Sequence, residues 1–192
     1  FCYGITPVLC INKLDLTDEK FLNTIIKTYK EVLKIIKVSA KDNNLIELKD
    51  ILKNKISCFA GQSAVGKSAL TKRILPNATV EIGELSKIER GKNTTRHTEL
   101  FEIDKDTFLA DTSGFTSLDE KLLPISYFEL PFYYPDFLKY LEKCKYRSCT
   151  HTNESCCAVK DAVKAGILDN GRYERYKTIF ENLKKEWQKN HG

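Results

Sequence analysis

Two short motifs constrain this chain more than anything else in it, because of the order in which they come. Residues 61–68 read GQSAVGKS and satisfy G-x-x-x-x-G-K-[ST] at Gly61, Gly66, Lys67 and Ser68. The apolar run KISCFAG at 55–61 reads as a strand leading in, and a helix opens behind it. In that setting the glycines let backbone N–H groups wrap phosphates, the lysine reaches the β and γ phosphates, and the serine hydroxyl ligates Mg²⁺. The residues this loop offers to a nucleotide are Gly61, Ser63, Ala64, Val65, Gly66, Lys67, Ser68 and Ala69. A chance glycine-rich turn is the alternative, and the strand-loop-helix context speaks against it. Earlier in the chain, VLCINKLD at 8–15 ends another apolar run with Asn12, Lys13 and Asp15. A carboxylate there accepts from both N1–H and the exocyclic amine of guanine, a donor pair that adenine lacks, while Asn12 and Lys13 steady base and loop. In isolation the same N-K-x-D is also a plain helix cap.

When both motifs occur in one chain, the phosphate loop ordinarily comes first. Here it comes second, and the remaining elements obey the same displaced order. VSAK at 38–41 supplies a second base loop, Ser39 and Ala40, whose Ala40 N–H meets guanine O6. GKNTTRHTEL at 91–100 offers Thr94 or Thr95 to complete Mg²⁺ coordination beside Ser68, with Thr95 preferred. DTSGF at 111–115 puts Asp111 at a strand end, where it holds the magnesium through water, and lets the Gly114 N–H meet a γ-phosphate. D-x-x-G alone is a common turn; beside a phosphate loop it acquires a role. The order is that of a GTPase cut after its D-x-x-G element and rejoined, which predicts a circularly permuted P-loop GTPase domain of α/β class. Such a cut ties the D-x-x-G switch directly to whatever follows it.

Periodicity supports that architecture. The runs at 7–11, 33–39, 55–61, 98–103 and 107–112 read as strands, the last two as an antiparallel hairpin around Asp104, Lys105 and Asp106. Helices fall between the first three, which predicts right-handed crossovers, a parallel sheet and ligands at the strand C-termini. Thr17 is the expected N-cap of the first helix, with Phe21, Ile25, Ile26, Tyr29 and Leu33 facing inward. The second spans 44–54, with Leu45, Leu48, Ile51 and Leu52 inward. Residues 76–97 are polar and aperiodic, the pattern of a mobile segment. After Gly114 the texture becomes aromatic and Pro-punctuated, so the expected division is a GTPase domain at 1–117 and a zinc-knuckle and helical domain at 118–192. AVKDAVKAG ends on Gly166 as the residue after a helix C-cap, and the stripe Tyr173, Tyr176, Phe180, Leu183 and Trp187 on the last helix reads as a core face rather than a base-stacking one.

Cysteine usage marks the C-terminal part. In CKYRSCTHTNESCC at 144–157, the residues Cys144, Cys149, His151 and Cys157 give three thiolates and an imidazole, a set suited to a closed tetrahedral Zn²⁺ site, with Cys156 as a competing ligand. Cys2, Cys10 and Cys58 sit in apolar strand contexts and read as core. The formal net charge is +5, and the entire excess falls in residues 139–192, which suggests a C-terminal contact with a polyanion such as RNA. The chain lacks a signal-peptide pattern and a long apolar run, so the expected location is the cytoplasm, with no membrane contact. It contains no Met and begins close to a strand, which reads as a fragment of something longer.

INKLDL, FAGQSAVGKS, GKNTTRHTEL, LADTSGF and CKYRSCTHTNESCCAVKDAVKAG together resemble the ribosome small subunit-dependent GTPase A family, also called RsgA, YjeQ or EngC, over essentially the whole chain. The resemblance implies a late-stage assembly factor that binds the small ribosomal subunit and its rRNA and hydrolyses GTP to GDP there; the expected oligomeric state is a monomer. It also implies an N-terminal OB-fold domain ahead of Phe1 and assigns the fourth zinc position to Cys157. Catalytic roles then fall to Lys67, Thr95, Gly114 and the position of Asn93. Two departures stand out: the family carries His where this chain has Asn93, and Gly where it has Ala64. Asn cannot act as a general base, and His97 would need repositioning to replace it. Phe115 stands where many GTPases carry a water-orienting Gln, so the competing expectation is a GTP-dependent RNA-binding switch or scaffold with negligible hydrolysis.

Overall fold

A computed structural model of the chain describes residues 1–39, 45–75, 98–112 and 123–191. The strands are β1 (Val8–Ile11), β2 (Lys34–Lys37), β3 (Ile56–Cys58), β4 (Thr98–Asp104) and β5 (Thr107–Thr112). The helices are α1 (Glu19–Tyr29), α2 (Ile46–Leu52), α3 (Lys67–Ile74), α4 (Leu138–Leu141), α5 (Ala158–Lys164) and α6 (Asn170–His191). Two compact units emerge: Phe1–Leu9 with Asp18–Ile35 and Asp119–Gly192, and Cys10–Thr17 with Ile36–Leu118.

The second unit carries the three-stranded sheet, in the order β3-β5-β4. β3 and β5 run parallel, with Ile56 opposite Phe108 and Cys58 opposite Ala110, while β4 returns antiparallel along β5. The hairpin turn is tighter than its sequence suggests, because Asp104 pairs with Thr107 and leaves only Lys105 and Asp106 to turn. Asp106 takes a left-handed φ of 57°, a conformation that Asp tolerates better than most residues. β1 and β2 pair in a separate sheet among the described residues, rather than joining the parallel sheet that the strand–helix alternation predicts. Ile36, Val38, Leu48, Leu52, Leu70, Ile74 and Leu109 are buried, each contributing about 1.5–3 kcal/mol by leaving water.

Helix α1 begins one residue later than expected. Asp18, not Thr17, is its N-cap, its carboxylate accepting the N–H groups of Lys20 and Phe21, both at 3.4 Å. Thr17 is already committed: its hydroxyl donates to the Lys13 carbonyl at 3.0 Å. Phe21, expected inward, is 61% exposed, because this helix buries only part of its apolar stripe. The cysteines expected in the core are not there either: Cys2 and Cys10 are half-buried and Cys58 is exposed.

The first unit is organised around α6. Tyr173, Tyr176, Phe180 and Leu183 are buried as the core-face reading expects, whereas Trp187, near the helix end, is 41% exposed. The Tyr176 ring meets Tyr134 and Phe137 at centroid distances of 5.1 and 5.0 Å, and Tyr127 meets Phe180 edge-on at 5.4 Å. Helix α5 closes at Ala165, and Gly166 follows at φ 69°. The Gly166 N–H then bonds the Val163 carbonyl and the Ile167 N–H the Ala162 carbonyl, the paired bonds of a Schellman stop. Helix α1 joins this unit through polar contacts: Thr28 Oγ1 donates to Asp169 Oδ2 at 3.3 Å and Arg175 Nη2 to the Tyr29 hydroxyl at 3.0 Å. Beside them Arg172 grips Asp136 with two bonds, 3.0 and 2.9 Å, under the rings of Tyr29 and Tyr134. Both charges are largely withdrawn from water, at 12% and 9% side-chain exposure. Arg172→Ala would strand the Asp136 carboxylate, so it is expected to cost about 3 kcal/mol in urea unfolding, with Arg172→Lys recovering only part of it. A loss under about 0.5 kcal/mol, the scale of an exposed pair, would contradict this.

Candidate functional site

The phosphate-type loop leaves the C-terminal end of β3 and runs into α3, whose first residue is Lys67. Its turns require unusual backbone: Gly61 at φ 148°, Ala64 at 65° and Gly66 at 100°. At Gly66 the requirement is also steric, because a Cβ there would collide with the Asn12 amide. Ala64 occupies a left-handed position that suits Gly, at a cost of roughly 1–2 kcal/mol. The N-K-x-D loop holds this strained turn. Asn12 Nδ2 donates to the Val65 carbonyl at 3.0 Å, and Lys13 Nζ donates to the Ala64 carbonyl at 2.7 Å. The Asn12 side-chain oxygen in turn accepts the Lys13 N–H at 2.8 Å, fixing its own orientation. Two motifs far apart in sequence therefore form one surface; the sequence reading gave Asn12 and Lys13 the task of steadying base and loop but did not name the Val65 and Ala64 carbonyls as their partners.

Lys67 Nζ donates to the carbonyls of Gly61 and Gln62 at 2.7 and 2.8 Å, so its ammonium lies over the mouth of the loop. Ser63, Val65, Ser68 and Ala69 line the loop and the first turn of α3. Asp15 lies exposed in a short 3₁₀ turn, Leu14–Leu16, and Ser39 is buried just beyond β2. The parallel register of β3 and β5 sets Ala110 beside Cys58, so the backbone of Asp111 ends at the sheet edge from which the loop departs. Ala40, Asn93, Thr95 and Gly114, with Thr94, His97 and Phe115, lie outside the described residues, as does the polar segment 76–97.

The second cluster lies in the other unit. One donor atom each from Cys144, Cys149, His151 and Cys157 falls within 4.8 Å of all the others. His151 Nδ1 is 3.5 Å from Cys144 Sγ and 3.3 Å from Cys157 Sγ, and the two sulfurs are 4.0 Å apart. Zinc–sulfur bonds of about 2.3 Å in a tetrahedron put sulfurs ~3.8 Å apart, so this donor set fits zinc in both chemistry and spacing. Cys157 is buried and inside the cluster, while Cys156 is exposed and outside it, which separates the two candidates. Burial depresses the His151 pKa, which favours the neutral imidazole that a metal requires. Burial raises the Cys149 thiol to about 12, with Cys157 and Cys144 adding to the rise, and also raises Cys157.

Those thiols are protonated near neutral pH and must release protons to bind metal. Affinity is therefore expected to fall with falling pH, by at least about two decades per pH unit between pH 8 and 6, one for each of Cys149 and Cys157. Chelator competition across that range checks it; a flat profile would refute it. Sequence reasoning missed Glu154, whose place inside CTHTNESCC was its only signal. Burial opposes its ionisation, but bonds from Thr150 and Thr152 outweigh this and hold the carboxyl below its usual range.

A phosphate loop at a β3–α3 junction, braced by an N-K-x-D loop that precedes it in the chain, defines a circularly permuted P-loop GTPase fold, here with a C-terminal helical part bearing a Cys₃His cluster. A model described as RsgA GTPase matches residues 2–121. The chain belongs to the RsgA GTPase family. It is 42% identical over 185 residues to the small ribosomal subunit biogenesis GTPase RsgA of Alkaliphilus metalliredigens (strain QYMF), an alignment covering 95% of this chain and 63% of that protein. It is 40% identical to the protein of the same name from Ruminiclostridium cellulolyticum, covering 94% and 59%. Among solved structures, YjeQ from Thermotoga maritima superimposes with a TM-score of 0.73 at 33% identity, over 94% of this chain and 60% of that one. YloQ, a circularly permuted GTPase, gives 0.72 at 32%, over 93% and 57%. The chain thus spans about three fifths of the length of the curated relatives it matches.

Proposed function

We propose that this chain binds GTP and GDP and hydrolyses GTP during late maturation of the small ribosomal subunit, in contact with its rRNA. The observation that carries this is the bracing of the phosphate loop by Asn12 and Lys13, which joins a guanine-type loop and a phosphate-type loop into one surface. The relatives' name, small ribosomal subunit biogenesis GTPase, supplies the partner. Asp15 selects guanine, with Ser39 and Ala40 lining the base. Backbone N–H groups from Gly61 to Ala69 cradle the phosphates, and Lys67 turns from the loop carbonyls towards the β and γ oxygens. Ser68, Thr95 and Asp111 would hold Mg²⁺, and the Gly114 N–H would serve the γ-phosphate. When bound, that ion would supply charge neutralisation at the transferring phosphoryl group. Lys67, Thr95 and Gly114 then act as the catalytic groups, with Asn93 at the position of the family's His.

Zinc in the Cys144, Cys149, His151 and Cys157 cluster serves structure, since four protein donors leave no open position. We assign the GTPase domain to 1–117 and the knuckle and helical domain to 118–192, and a monomeric, cytoplasmic protein. Among the described residues no helix is long and apolar enough to cross a membrane. The departures at Asn93 and Phe115 favour one second reading, a GTP-dependent RNA-binding switch or scaffold with negligible hydrolysis. GTP turnover measured with and without small subunits decides between them.

A further inference from the structure

We propose that Glu154 is the positioning residue of the Cys₃His site, holding the loop that carries His151 in the turn from which Nδ1 faces the thiols. His151 has a φ of 59°, a left-handed conformation that a bulky residue keeps only when its surroundings over-determine it. Glu154 does so from the inside of the loop. Its Oε1 accepts both the Thr150 N–H and the Thr150 hydroxyl at 2.6 Å, and its Oε2 accepts the Thr152 N–H at 2.9 Å. The residues on either side of His151 are thereby tied to one carboxylate. The Thr150 and Thr152 hydroxyls lie 2.9 Å apart and close the ring of bonds.

The outside of the loop is held by α6. Tyr173 donates its hydroxyl to the His151 carbonyl at 2.8 Å, and Tyr176 donates to the Thr150 carbonyl at 2.5 Å. His151 cannot leave its left-handed turn without breaking bonds on both sides. Glu154 is not itself in the cluster of donor atoms, and its oxygens are spent on the loop. Its effect on metal therefore passes through His151. Lys160 Nζ, donating to the Glu154 carbonyl at 3.0 Å, anchors the carboxylate's own backbone to α5.

This rests on the zinc reading of the cluster, and the test separates the two. Zinc affinity is measured by chelator competition on the full chain, in a cycle of Glu154→Gln with His151→Ala. Glutamine keeps the shape but turns an NH₂ towards an N–H donor, so Glu154→Gln is expected to lose about 10- to 100-fold in affinity. In the His151→Ala background it should cost nothing more. Tyr173→Phe, a milder change, should lose less affinity and fall silent in the same background. Cobalt substituted for zinc should show the Glu154→Gln bands shifted towards those of His151→Ala. Equal affinity in Glu154→Gln and the unsubstituted chain, or an equal loss with and without His151, would overturn the proposal while leaving the zinc reading intact. Absence of zinc uptake by the unsubstituted chain would overturn both.

Discussion

Small ribosomal subunits are expected to accelerate GTP turnover by about 10³ to 10⁵, the range that GTPases gain when a partner supplies a missing catalytic group or orders a switch. The unaided rate should be slow. Lys67 already sits over the loop mouth, and Ser68 lies in the first turn of the helix behind it, so charge stabilisation has its scaffold. Two positions at which a water-handling group is expected do not supply one: Asn93 has no basic nitrogen, and Phe115 has no hydrogen-bonding side chain. The measurement is multiple-turnover phosphate release, made on this chain and on one carrying the implied OB-fold domain at its N-terminus. Thr95→Ala should remove the stimulated rate while changing nucleotide affinity little. If His97→Ala abolished stimulation and Asn93→Ala did not, the catalytic role would move to His97. No stimulation in either form would favour the switch or scaffold reading.

Asp15→Asn should weaken GTP binding by about 5- to 150-fold, corresponding to 1–3 kcal/mol for removing one side of a bidentate hydrogen bond and leaving the buried guanine donors unpaired. The amide that replaces the carboxylate presents a donor to N1–H, so xanthosine triphosphate, whose extra carbonyl accepts it, should become the preferred ligand. The turn carrying Asp15 has other supports: Lys13 sits at φ 60°, its carbonyl accepts from the Thr17 hydroxyl, and its ammonium donates to the Ala64 carbonyl. The urea midpoint, measured beside binding, separates lost affinity from lost fold. Competition between GTP, ATP and xanthosine triphosphate reads the outcome, and equal affinity of the unsubstituted chain for ATP and GTP would refute the assignment.

The element types and both clusters were legible in the sequence because each rests on local spacing. A strand before GQSAVGKS, a glycine after AVKDAVKA and a C-x4-C-x-H-x5-C run each state a geometry within a few residues. Their long-range partners were not legible. Whether Asn12 faces a base or the Val65 carbonyl depends on where a loop more than fifty residues away comes to rest, and no local preference encodes that. The same holds for β1, whose apolar run predicts a strand but not that it pairs with β2 outside the β3-β5-β4 sheet. Adjacent cysteines at 156 and 157 have equal chemistry; the backbone at Cys156, left-handed at φ 56°, directs one out and the other in. Phe21 and Trp187 obey the helical period of their neighbours and still face water, since periodicity names a face while only packing decides how far along a helix that face is covered. Glu154 looked like one more polar residue in a polar loop, and its role emerged only when folding brought Thr150, Thr152 and the tyrosines of α6 around a single turn.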